Sequence, residues 1–573
     1  MSAPDAPRLR RREAVAVARG VWPETVPAAL RRVYAARGIR DPADIHYRLA
    51  DLVPPRMLGG LDAATAIITQ AIDADRRILV VGDYDCDGAT GTAVAVRGLR
   101  LFGARHVGFV VPHRIRHGYG LSAALVASLE TDPDLIITVD NGVASLEGVA
   151  AARARGIQVV VTDHHLPGAQ LPDAQAIVNP NLADDAFPSK ALAGVGVMFY
   201  LLLALRVRWR REGRFADRAE PDLSSLLDLV ALGTVADLVR LDHNNRVLVA
   251  AGLHRMRSGK ACAGIAALAA ASGRALATLT STDIAFSLAP RLNAAGRLED
   301  MTQGIACLLS DDAATAQPLA DHLSAINAER RQLQADMVAD AERMAGSVAH
   351  TDAIGVALYD DTWHPGVVGL VASKLKDRLY RPVVAFAPAG EGGLLRGSAR
   401  SIPGFHMRDA LALVHARRPG LIERFGGHAM AAGLSLAPGH FADFATAFDA
   451  VAREQLGAEA LQSVLWSDGE LAPGELTLEL AQALRYAGPW GQGFAAPLFD
   501  NAFECVSVRP MGVGHRRLQL RDPRDGMLVD AVMFGVAPEQ IFPTHLRAAY
   551  ELVVNDWNGR QSARLVLRHV EPA

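Results

Sequence analysis

Apolar runs alternate with alanine-rich helical patterns between residues 75 and 180, and this alternation constrains the fold more than any other feature. Candidate helices lie at 92–101 and 146–154, and the candidate strands lie at 77–81, 106–111, 134–139, 157–161 and 176–178. Continuous apolar strands separated by helices are typical of a parallel sheet that is covered by helices on both faces. The sequence therefore predicts an α/β domain built on a parallel sheet.

A polar residue follows each of these strands. The residues in question are Asp83, His113, Asp140, Asp163 and Asn179. The carboxyl ends of parallel strands meet at one edge of a sheet, and ligands of such sheets bind there. We therefore expect one edge to gather carboxylates and imidazoles that are scattered along the sequence.

Three aspartates stand at alternate positions after the first strand, in the stretch DYDCDG that contains Asp83, Asp85 and Asp87. Ionised carboxylates this close repel one another unless a hard cation such as Mg²⁺ or Mn²⁺ neutralises them. An EF-hand calcium loop starts with the same spacing, but it requires a glutamate where Val94 stands and a helix where this chain has a strand. A solvated acidic turn is the other alternative, and the two further acidic strand ends argue against it.

Two other candidate ligand groups are ambiguous by themselves. Adjacent histidines such as His164 and His165 often make only local hydrogen bonds, but at the same edge as Asp85 and Asp140 they favour Mn²⁺ and hydrolysis by activated water. Asp237 lies near the end of a helix expected at 223–239, where metal binding and a structural cap or ion pair are equally compatible with the sequence.

The rest of the chain changes pattern twice. Residues 191–345 are mostly helical and end in a polar helix at 311–345, of the kind that bridges domains. A second α/β unit starts near 353 and carries glycine-rich turns at 397–401 and 425–433. After about residue 457, five short strand patterns predict a small β-barrel of the OB-fold type; they lie at 503–508, 517–520, 527–534, 548–555 and 562–569.

Composition excludes several classes of protein. With 573 residues and 50% hydrophobic content, the chain is long enough for several domains. We expect a cytoplasmic protein without membrane contact, since no run resembles a membrane span or a signal peptide. The four cysteines form no CxxC pair, which argues against a disulfide framework and structural zinc. A net charge of −3 excludes a globally basic nucleic-acid binder but allows a local basic groove.

The order of these motifs resembles the DHH phosphoesterase superfamily: DxDxDG, then DNG at 140–142, DHH at 163–165 and GTVAD ending at 237. The stretches GSARS at 397–401 and GGHAMAAG at 426–433 are similar to its companion DHHA1 domain. Further stretches resemble the superfamily's single-strand-specific DNA exonucleases, from about residue 45 onwards. They are GYGL at 118–121, LAGVG at 192–196, PRLNAAGRL at 290–298, WHPGVVG at 363–369 and NDWNG at 555–559.

The resemblance implies a division of the chain into five segments. They are an N-terminal segment (1–58), a DHH catalytic domain with a parallel sheet (59–310), a long connecting helix (311–350), a second α/β domain of the DHHA1 type (351–456) and a C-terminal OB-fold barrel (457–573). The barrel is expected to hold the strand. Because every candidate metal ligand precedes residue 240, its deletion is expected to leave the chemistry intact.

The resemblance also implies two Mn²⁺ or Mg²⁺ ions. Their expected ligands are Asp83, Asp85, Asp87, Asp140, His164 and Asp237, with Asp140 bridging the two ions. Asp83 and His165 either bind metal or act beside it on the scissile phosphate, so both are candidate catalytic residues, as is His428. Cys86 stands where the family has alanine, and Ala193 where it often has cysteine; neither change removes a ligand.

A further set of residues is expected to bind phosphate or the nucleic-acid strand. Arg396, Arg400 and the backbone amides of the turn at 397–401 suit a terminal phosphate. The glycines at 426–427 allow close backbone approach to a phosphate, although they also suit a tight turn into a helix. Trp557 either stacks on a base or fills the barrel core. The full set is Arg114, Arg291, Asn293, Arg396, Ser398, Arg400, Gly426, Gly427, His428 and Trp557.

The activity implied is a 5′-to-3′ exonuclease specific for single-stranded DNA, acting by two-metal hydrolysis in recombination and repair. The expected partners are single-stranded DNA, a single-strand-binding protein and a helicase, and the expected state is a monomer. Two alternatives are weaker. A nanoRNase or cyclic-dinucleotide phosphodiesterase of the superfamily would lack the barrel. A nuclease-dead, single-strand-binding replication factor would have lost metal ligands that this chain retains.

Overall fold

The computed structural model describes residues 7–13, 22–113, 117–348, 353–389, 393–537 and 540–573. The chain divides into two compact units: a small unit of residues 1–11 with 328–467, and a large unit of residues 12–327 with 468–573. The division into five segments drawn from the sequence remains a prediction. None of the described helices has the length and apolar character needed to cross a bilayer.

The strands, in chain order, are β1 (Arg8–Arg11), β2 (Ile78–Val81), β3 (Val107–Val110), β4 (Leu135–Val139), β5 (Gln158–Thr162), β6 (Ala176–Val178), β7 (Val356–Tyr359), β8 (Val383–Pro388), β9 (Leu395–Arg400), β10 (Arg424–Gly427), β11 (Ala431–Leu436), β12 (Val464–Ser467), β13 (Phe499–Pro510), β14 (His515–Arg521), β15 (Leu528–Phe534), β16 (His545–Trp557) and β17 (Arg560–Pro572).

The α-helices are α1 (Ala28–Ala35), α2 (Leu61–Asp73), α3 (Cys86–Leu101), α4 (Ala123–Ala127), α5 (Leu146–Ala154), α6 (Gly194–Arg211), α7 (Leu227–Ala236), α8 (His243–Arg257), α9 (Ala263–Ala271), α10 (Ser281–Asp283), α11 (Ala289–Leu298), α12 (Thr302–Leu309), α13 (Ala313–Val348), α14 (Val368–Leu379), α15 (Met407–Arg417), α16 (Phe441–Gln455) and α17 (Leu478–Tyr486). A π-helix at Ile284–Leu288 joins α10 to α11.

Five strands of the large unit form the expected parallel sheet, in the order β3-β2-β4-β5-β6. Successive side chains of β4 alternate between two cores: Ile137 packs in the core that contains α3 and α6, and Ile136 packs in the core that contains α4 and α5. The chain reverses its direction across the sheet between β2 and β4, which is where such sheets bind ligands. The predicted fold class is confirmed.

The C-terminal strands close into a barrel in the order β13-β14-β15-β17-β16, as the strand patterns predicted. This barrel shares one hydrophobic core with the parallel-sheet domain of the large unit. Tyr34 of α1 stacks on Trp490 with ring centroids 6.1 Å apart, and its hydroxyl donates a hydrogen bond to the Ala487 carbonyl at 2.8 Å. Removing the tail would expose this core to water, which argues against the expectation that its deletion leaves the chemistry intact.

The small unit contains a five-stranded sheet in the order β10-β11-β9-β8-β7, in which only the β7–β8 pair is parallel. The turn expected at 397–401 is wrong, because most of this stretch belongs to the central strand β9. Glycine serves packing there: a Cβ on Gly397 would lie 2.4 Å from Phe386 Cε1 and 2.7 Å from Leu434 Cδ2. The β9 backbone is paired on both sides, so its amides cannot form the expected phosphate cradle.

Candidate metal centre and active site

The aspartate-rich stretch after β2 is the start of a helix rather than an open turn. Asp85 is the N-cap of α3, and its Oδ1 accepts a hydrogen bond from the Gly88 amide at 3.0 Å. This cap allows the helix to begin at Cys86, six residues before the predicted start at 92, despite the glycines in its first turns. Asp87 consequently lies in the first helical turn, where it is buried.

The Asp87 carboxylate is held by the first turn of α6. Its Oδ2 accepts a hydrogen bond from the Gly194 amide at 2.6 Å, and its Oδ1 accepts one from the Val195 amide at 2.9 Å. Such amides have no acceptor within their own helix. Burial, with repulsion from Asp85, raises the pKa of Asp87 to about 7, although these two hydrogen bonds oppose the rise.

Asp140 follows β4 in a left-handed backbone conformation, with φ of 63°. Its buried carboxyl has a pKa well above the usual range, first because of burial and then because of repulsion from Asp87 and Asp85. The start of α6 approaches Asp140 so closely that a Cβ on Gly194 would lie 2.5 Å from Asp140 Cβ. Gly194 therefore allows α6 to contact Asp87 and Asp140 at once.

His164 joins residues from three different elements. Its Nε2 lies 3.0 Å from Asp140 Oδ1, 3.5 Å from Asp237 Oδ2 and 4.0 Å from Asp87 Oδ2. Asp237 is the C-cap of α7, which ends at Ala236. Burial, followed by repulsion from Asp87, raises the pKa of the Asp237 carboxyl well above its usual range.

The candidate ligands form three overlapping groups, in each of which the ligand atoms lie within 4.8 Å of one another. The groups are Asp83, Asp85 and Asp140; Asp140, His164 and His165; and Asp87, His164 and Asp237. Asp140 and His164 each belong to two of them, which is the arrangement expected of ligands around two neighbouring ions.

The donor set fits Mn²⁺ or Mg²⁺. Asp140 Oδ1 and Asp237 Oδ2 are buried and accept no hydrogen bond from the part of the chain that the structure describes. Within that part, no arginine or lysine forms an ion pair with Asp87, Asp140 or Asp237. Buried carboxylates without a protein cation are costly unless they bind a metal, and oxygen with imidazole donors suits manganese.

Asp163, which the residue pattern placed at the sheet edge without a role, is a functional candidate. Its Oδ1 lies 2.7 Å from His165 Nδ1, and its Oδ2 accepts a hydrogen bond from the Val143 amide at 2.9 Å. Burial alone would raise the pKa of Asp163, but the hydrogen bonds outweigh it and the pKa is lowered. Burial would likewise lower the pKa of His165, but the bond to Asp163 raises it. The signal in the sequence was the position of Asp163 as the first residue of the DHH motif, next to the two histidines.

Tyr119 lies beside His165. Its hydroxyl donates a hydrogen bond to the Asp140 carbonyl at 3.0 Å and lies 3.4 Å from both ring nitrogens of His165. The Asn141 side chain links the ends of two strands, since its amide donates to the Val81 and Val139 carbonyls. Both residues stand in motifs noted above, GYGL and DNG, whose positions gave no indication of these contacts.

Replacement of Asp163 by asparagine is expected to slow hydrolysis about 10- to 100-fold, the usual effect of removing a partner that orients a metal-site histidine. Asp163 raises the pKa of His165. In the variant, the part of the pH–rate profile that reflects protonation of His165 is therefore expected to move to lower pH. The rate measured from pH 5.5 to 8.5 at saturating Mn²⁺ tests this. An unchanged profile would show that Asp163 does not act through His165.

The metal-free protein is expected to lose stability as pH rises. Folding raises the pKa values of Asp87, Asp140 and Asp237, so the folded protein keeps protons that the unfolded chain releases between pH about 4 and 7. Melting temperatures in EDTA should therefore fall from pH 5.5 to 8. Mn²⁺ should raise the melting temperature more at pH 8 than at pH 5.5, because ionised carboxylates bind metal best. Equal gains at both pH values would contradict this expectation.

The small unit brings three predicted phosphate ligands onto one face of β9. Leu395, Gly397 and Ala399 are buried, whereas the alternate residues Arg396, Ser398 and Arg400 are only partly buried. Arg400 Nη1 donates to Ser398 Oγ at 3.2 Å. The start of α14 reaches this face, since a Cβ on Gly369 would lie 2.8 Å from Ser398 Oγ and 3.0 Å from Arg400 Nη2. Gly369 was not among the residues singled out.

Gly426 and Gly427 end the edge strand β10 and are exposed with His428. Gly426 pairs with Gly433, which pairs with Ser398 on the next strand. Residues directly opposite one another share a face of the sheet, so the glycines leave an open surface beside Ser398. The alternative of a tight turn into a helix is wrong, because a β-hairpin follows.

The remaining predicted nucleic-acid ligands differ in their hydrogen-bond partners and in their exposure to solvent. Arg291 donates to Ser324 Oγ at 2.9 Å and to the Ser287 carbonyl, so its guanidinium anchors neighbouring helices. Asn293 Oδ1 accepts a hydrogen bond from the Cys86 amide at 2.9 Å and thus supports the metal-binding helix. Trp557 is 72% exposed at the tip of the β16–β17 hairpin, so it does not fill the barrel core. Arg114 lies outside the described residues.

Family models match the chain in three places. The DHH family N-terminal domain matches residues 77–234, the DHHA1 domain residues 350–454 and the RecJ OB domain residues 467–569. Together with the acidic and histidine cluster at the edge of a parallel sheet, these matches define a metal-dependent phosphoesterase of the DHH class.

Similar proteins narrow this class. The chain is 48% identical to the single-stranded-DNA-specific exonuclease RecJ of Dickeya dadantii over 99% of both chains. Among solved structures, it resembles Thermus thermophilus RecJ in complex with Mn²⁺, with a TM-score of 0.82, 31% identity, and coverage of 99% of this chain and 79% of that one. The Mg²⁺ complex gives a TM-score of 0.76, 30% identity and coverage of 99% and 78%. The chain belongs to the RecJ family.

Proposed function

We propose that this chain is a 5′-to-3′ exonuclease specific for single-stranded DNA, which hydrolyses phosphodiester bonds with two Mn²⁺ or Mg²⁺ ions in recombination and repair. The observation that carries the proposal is the set of overlapping ligand groups that share Asp140 and His164. Similarity to RecJ exonucleases over the full chain supports the substrate class.

The proposed chemistry divides between metals and side chains. Two bound ions supply Lewis acidity, which lowers the pKa of water and stabilises charge on both the attacking and the leaving oxygen. Asp140 and His164 join the three ligand groups, and the α6 amides fix Asp87. His165 is oriented by Asp163 and partly exposed, so it can donate a proton or hydrogen bond to the scissile phosphate.

Recognition of the 5′ end is assigned to the β9 face of the small unit. Arg400 offers a planar guanidinium and Ser398 a hydroxyl, and both of these groups bind phosphate oxygens well. Burial lowers the pKa of the Arg400 guanidinium, which is consistent with a cation that awaits an anionic ligand. The surface left open by Gly426 admits the end of a strand, and His428 remains a candidate donor there.

The barrel is proposed to hold the DNA beyond the cutting site. Trp557 stands at its tip with an exposed ring, and base stacking on an aromatic side chain contributes about 1–3 kcal/mol per base. We expect Trp557→Ala to weaken binding of a long single strand about 5- to 150-fold in EDTA, with little change for a trinucleotide. Leu528→Ala, which removes another exposed apolar side chain of the barrel, is the control. Equal affinities for all three proteins would remove Trp557 from the binding surface.

The activity is tested with 5′- and 3′-labelled oligonucleotides of DNA and RNA in Mn²⁺. The proposal expects mononucleotides released from the 5′ end of single-stranded DNA, and little cleavage of blunt duplex. Cleavage restricted to di- to pentanucleotides or cyclic dinucleotides would support the other hydrolases of the superfamily. Binding without cleavage would support a nuclease-dead replication factor, a reading that the complete set of candidate ligands disfavours.

The proposal extends to the setting of the enzyme. A nuclease that needs single strands depends on proteins that create or coat them, so a helicase and a single-strand-binding protein are the proposed partners. We propose that the enzyme acts as a monomer in the cytoplasm. Pull-down experiments with the purified full chain test the two partners, and sedimentation tests the monomeric state.

A further inference from the structure

A cavity of about 310 Å³ lies in the large unit, away from the residues of the metal centre. Its walls come from α1, α8, the start of α10 and a segment from Arg485 to Trp490, which contains the end of α17 and the residues after it. This volume is at the lower end of the range for small-molecule sites, about 300–1,000 Å³. The cavity is therefore large enough for a small ligand.

Two arginines, Arg257 of α8 and Arg485 of α17, line this cavity. Each makes one hydrogen bond to a backbone carbonyl: Arg257 Nε to Leu279 at 2.7 Å, and Arg485 Nη2 to Thr278 at 3.0 Å. Among the described residues, no carboxylate lies within ion-pair distance of either guanidinium, and their other N–H groups have no protein acceptor. The cavity wall thus carries two cations with free donors.

Nearby charges do not neutralise this pair. Asp283 is the carboxylate that acts on Arg257, but it accepts hydrogen bonds from the amide and hydroxyl of Thr280 and lies 3.4 Å from Arg274. Burial lowers the pKa of Arg257; the Tyr486 hydroxyl opposes this effect and the charge of Arg485 adds to it. Two cations that repel one another at a half-buried wall favour an anion between them.

The rest of the wall is aromatic, apolar or hydroxylic. The guanidinium carbons of Arg257 and Arg485 lie 5.0 and 5.6 Å from the ring centre of Tyr486, which is 45% exposed. Tyr47, Trp490 and Leu253 supply apolar surface, and Thr280 and Ser281 supply hydroxyl groups. Guanidinium pairs bind phosphate in a fixed geometry, and aromatic rings accept any nucleobase.

We propose that this cavity binds a nucleoside monophosphate, with its phosphate between Arg257 and Arg485 and its base against the aromatic wall. The ligand has two sources with the same chemistry: a free mononucleotide, which the proposed exonuclease reaction releases, or one nucleotide of a bound DNA strand. The proposal concerns binding and needs no metal. It can therefore fail while the nuclease assignment stands, and the reverse is also true.

The test uses the full chain in EDTA, which prevents cleavage and removes metal-dependent binding. Calorimetric titration compares thymidine monophosphate, thymidine and inorganic phosphate, with wild type, Arg485→Gln and Arg257→Gln. The control is Arg100→Gln, an exposed arginine outside the cavity. Loss of a charge-assisted hydrogen bond predicts affinity for thymidine monophosphate about tenfold weaker or more in each cavity variant. Thymidine should bind much more weakly, and Arg100→Gln should match wild type.

A second arm titrates the same proteins with a 12-mer of thymidine over a salt series. If the ligand is part of a strand, Arg485→Gln lowers the slope of log affinity against log salt by about one. If the ligand is a free nucleotide, Arg485→Gln leaves the affinity for the 12-mer unchanged and weakens only the binding of thymidine monophosphate. Monophosphate binding by Arg485→Gln as tight as by wild type overturns the proposal. Equal affinity for inorganic phosphate overturns the assignment of the base.

Melting temperature and Mn²⁺-dependent cleavage establish that each variant is folded. Arg257 anchors the Leu279 carbonyl from a half-buried position, so its replacement can destabilise the unit. Arg485 makes a single exposed backbone contact and decides the outcome by itself if Arg257→Gln does not fold.

Discussion

Asp140→Asn is expected to abolish hydrolysis while the protein stays folded. Asp140 belongs to two of the three ligand groups, so a neutral amide weakens both metal positions at once. We expect at least a thousandfold fall in rate at saturating Mn²⁺, equivalent to a barrier about 4 kcal/mol higher. Asparagine has the same shape and tolerates the left-handed backbone found at this position. The rate is measured on 5′-labelled single-stranded DNA.

The same substitution should not destabilise the metal-free protein. Repulsion from Asp87 and Asp85 disfavours the ionised Asp140 carboxylate, and asparagine removes that charge. The melting temperature in EDTA at pH 8 should therefore be equal to or above that of wild type, and Mn²⁺ should raise it less. Asp62→Asn, at an exposed position in the first turn of α2, is the control for both measurements. Wild-type turnover in Asp140→Asn would contradict the assignment of Asp140 as a metal ligand.

Gly194→Ala is expected to have the second-largest effect. The added methyl group would lie 2.5 Å from Asp140 Cβ and 2.8 Å from its Oδ1, so α6 must move away from the carboxylates. This shift breaks the hydrogen bonds from the α6 amides to Asp87. We expect a rate about 100-fold lower or more, since displacement of a site by about 1 Å has effects of that size. The rate and the Mn²⁺ concentration for half-maximal activity are measured together.

Gly196→Ala is the matched control, two residues further along the same helix. A Cβ there would lie 3.1 Å from Leu192 Cδ2, the end of a side chain that can adjust, and its three nearest atoms all belong to Leu192. Near-normal activity in Gly196→Ala and a large loss in Gly194→Ala would support close approach as the reason for glycine. Similar losses in both variants would indicate a general defect of α6.

The sequence was sufficient for the parts of the protein that depend on local pattern. Apolar runs located all five strands of the parallel sheet within one residue, because buried parallel strands have little other composition available. They also located the barrel strands, although four of the five were predicted too short; β16 and β17, for example, extend into an exposed hairpin where the apolar signal stops. Local pattern failed where glycine could serve either a turn or close packing. Gly397 suggested a turn, but it lies in the central strand β9, where it allows close packing.

The site shows the same limit. Alternate aspartates and the Asp-His-His stretch indicated a metal centre, because repulsion among close carboxylates acts over a few residues. The pattern left Asp237 open between a metal ligand and a cap. The Asp237 Oδ2 atom lies 3.5 Å from His164 Nε2 and is buried without a hydrogen-bond partner among the described residues. Both facts favour a metal ligand over a cap. Arg291 and Asn293 were expected to bind the nucleic-acid strand, yet their side-chain hydrogen bonds support neighbouring helices and the start of α3.

By itself, the sequence determined the class of fold, the presence of an acidic and histidine metal site and the barrel at the C-terminus. These follow from periodicity and from charges that are neighbours in the chain. The tertiary structure alone decided that Asp140 and His164 belong to two ligand groups, that Gly194 admits α6 to the site, and that the barrel shares its core with the catalytic sheet. Each of these depends on packing between distant segments, and packing distances are not encoded in any local pattern.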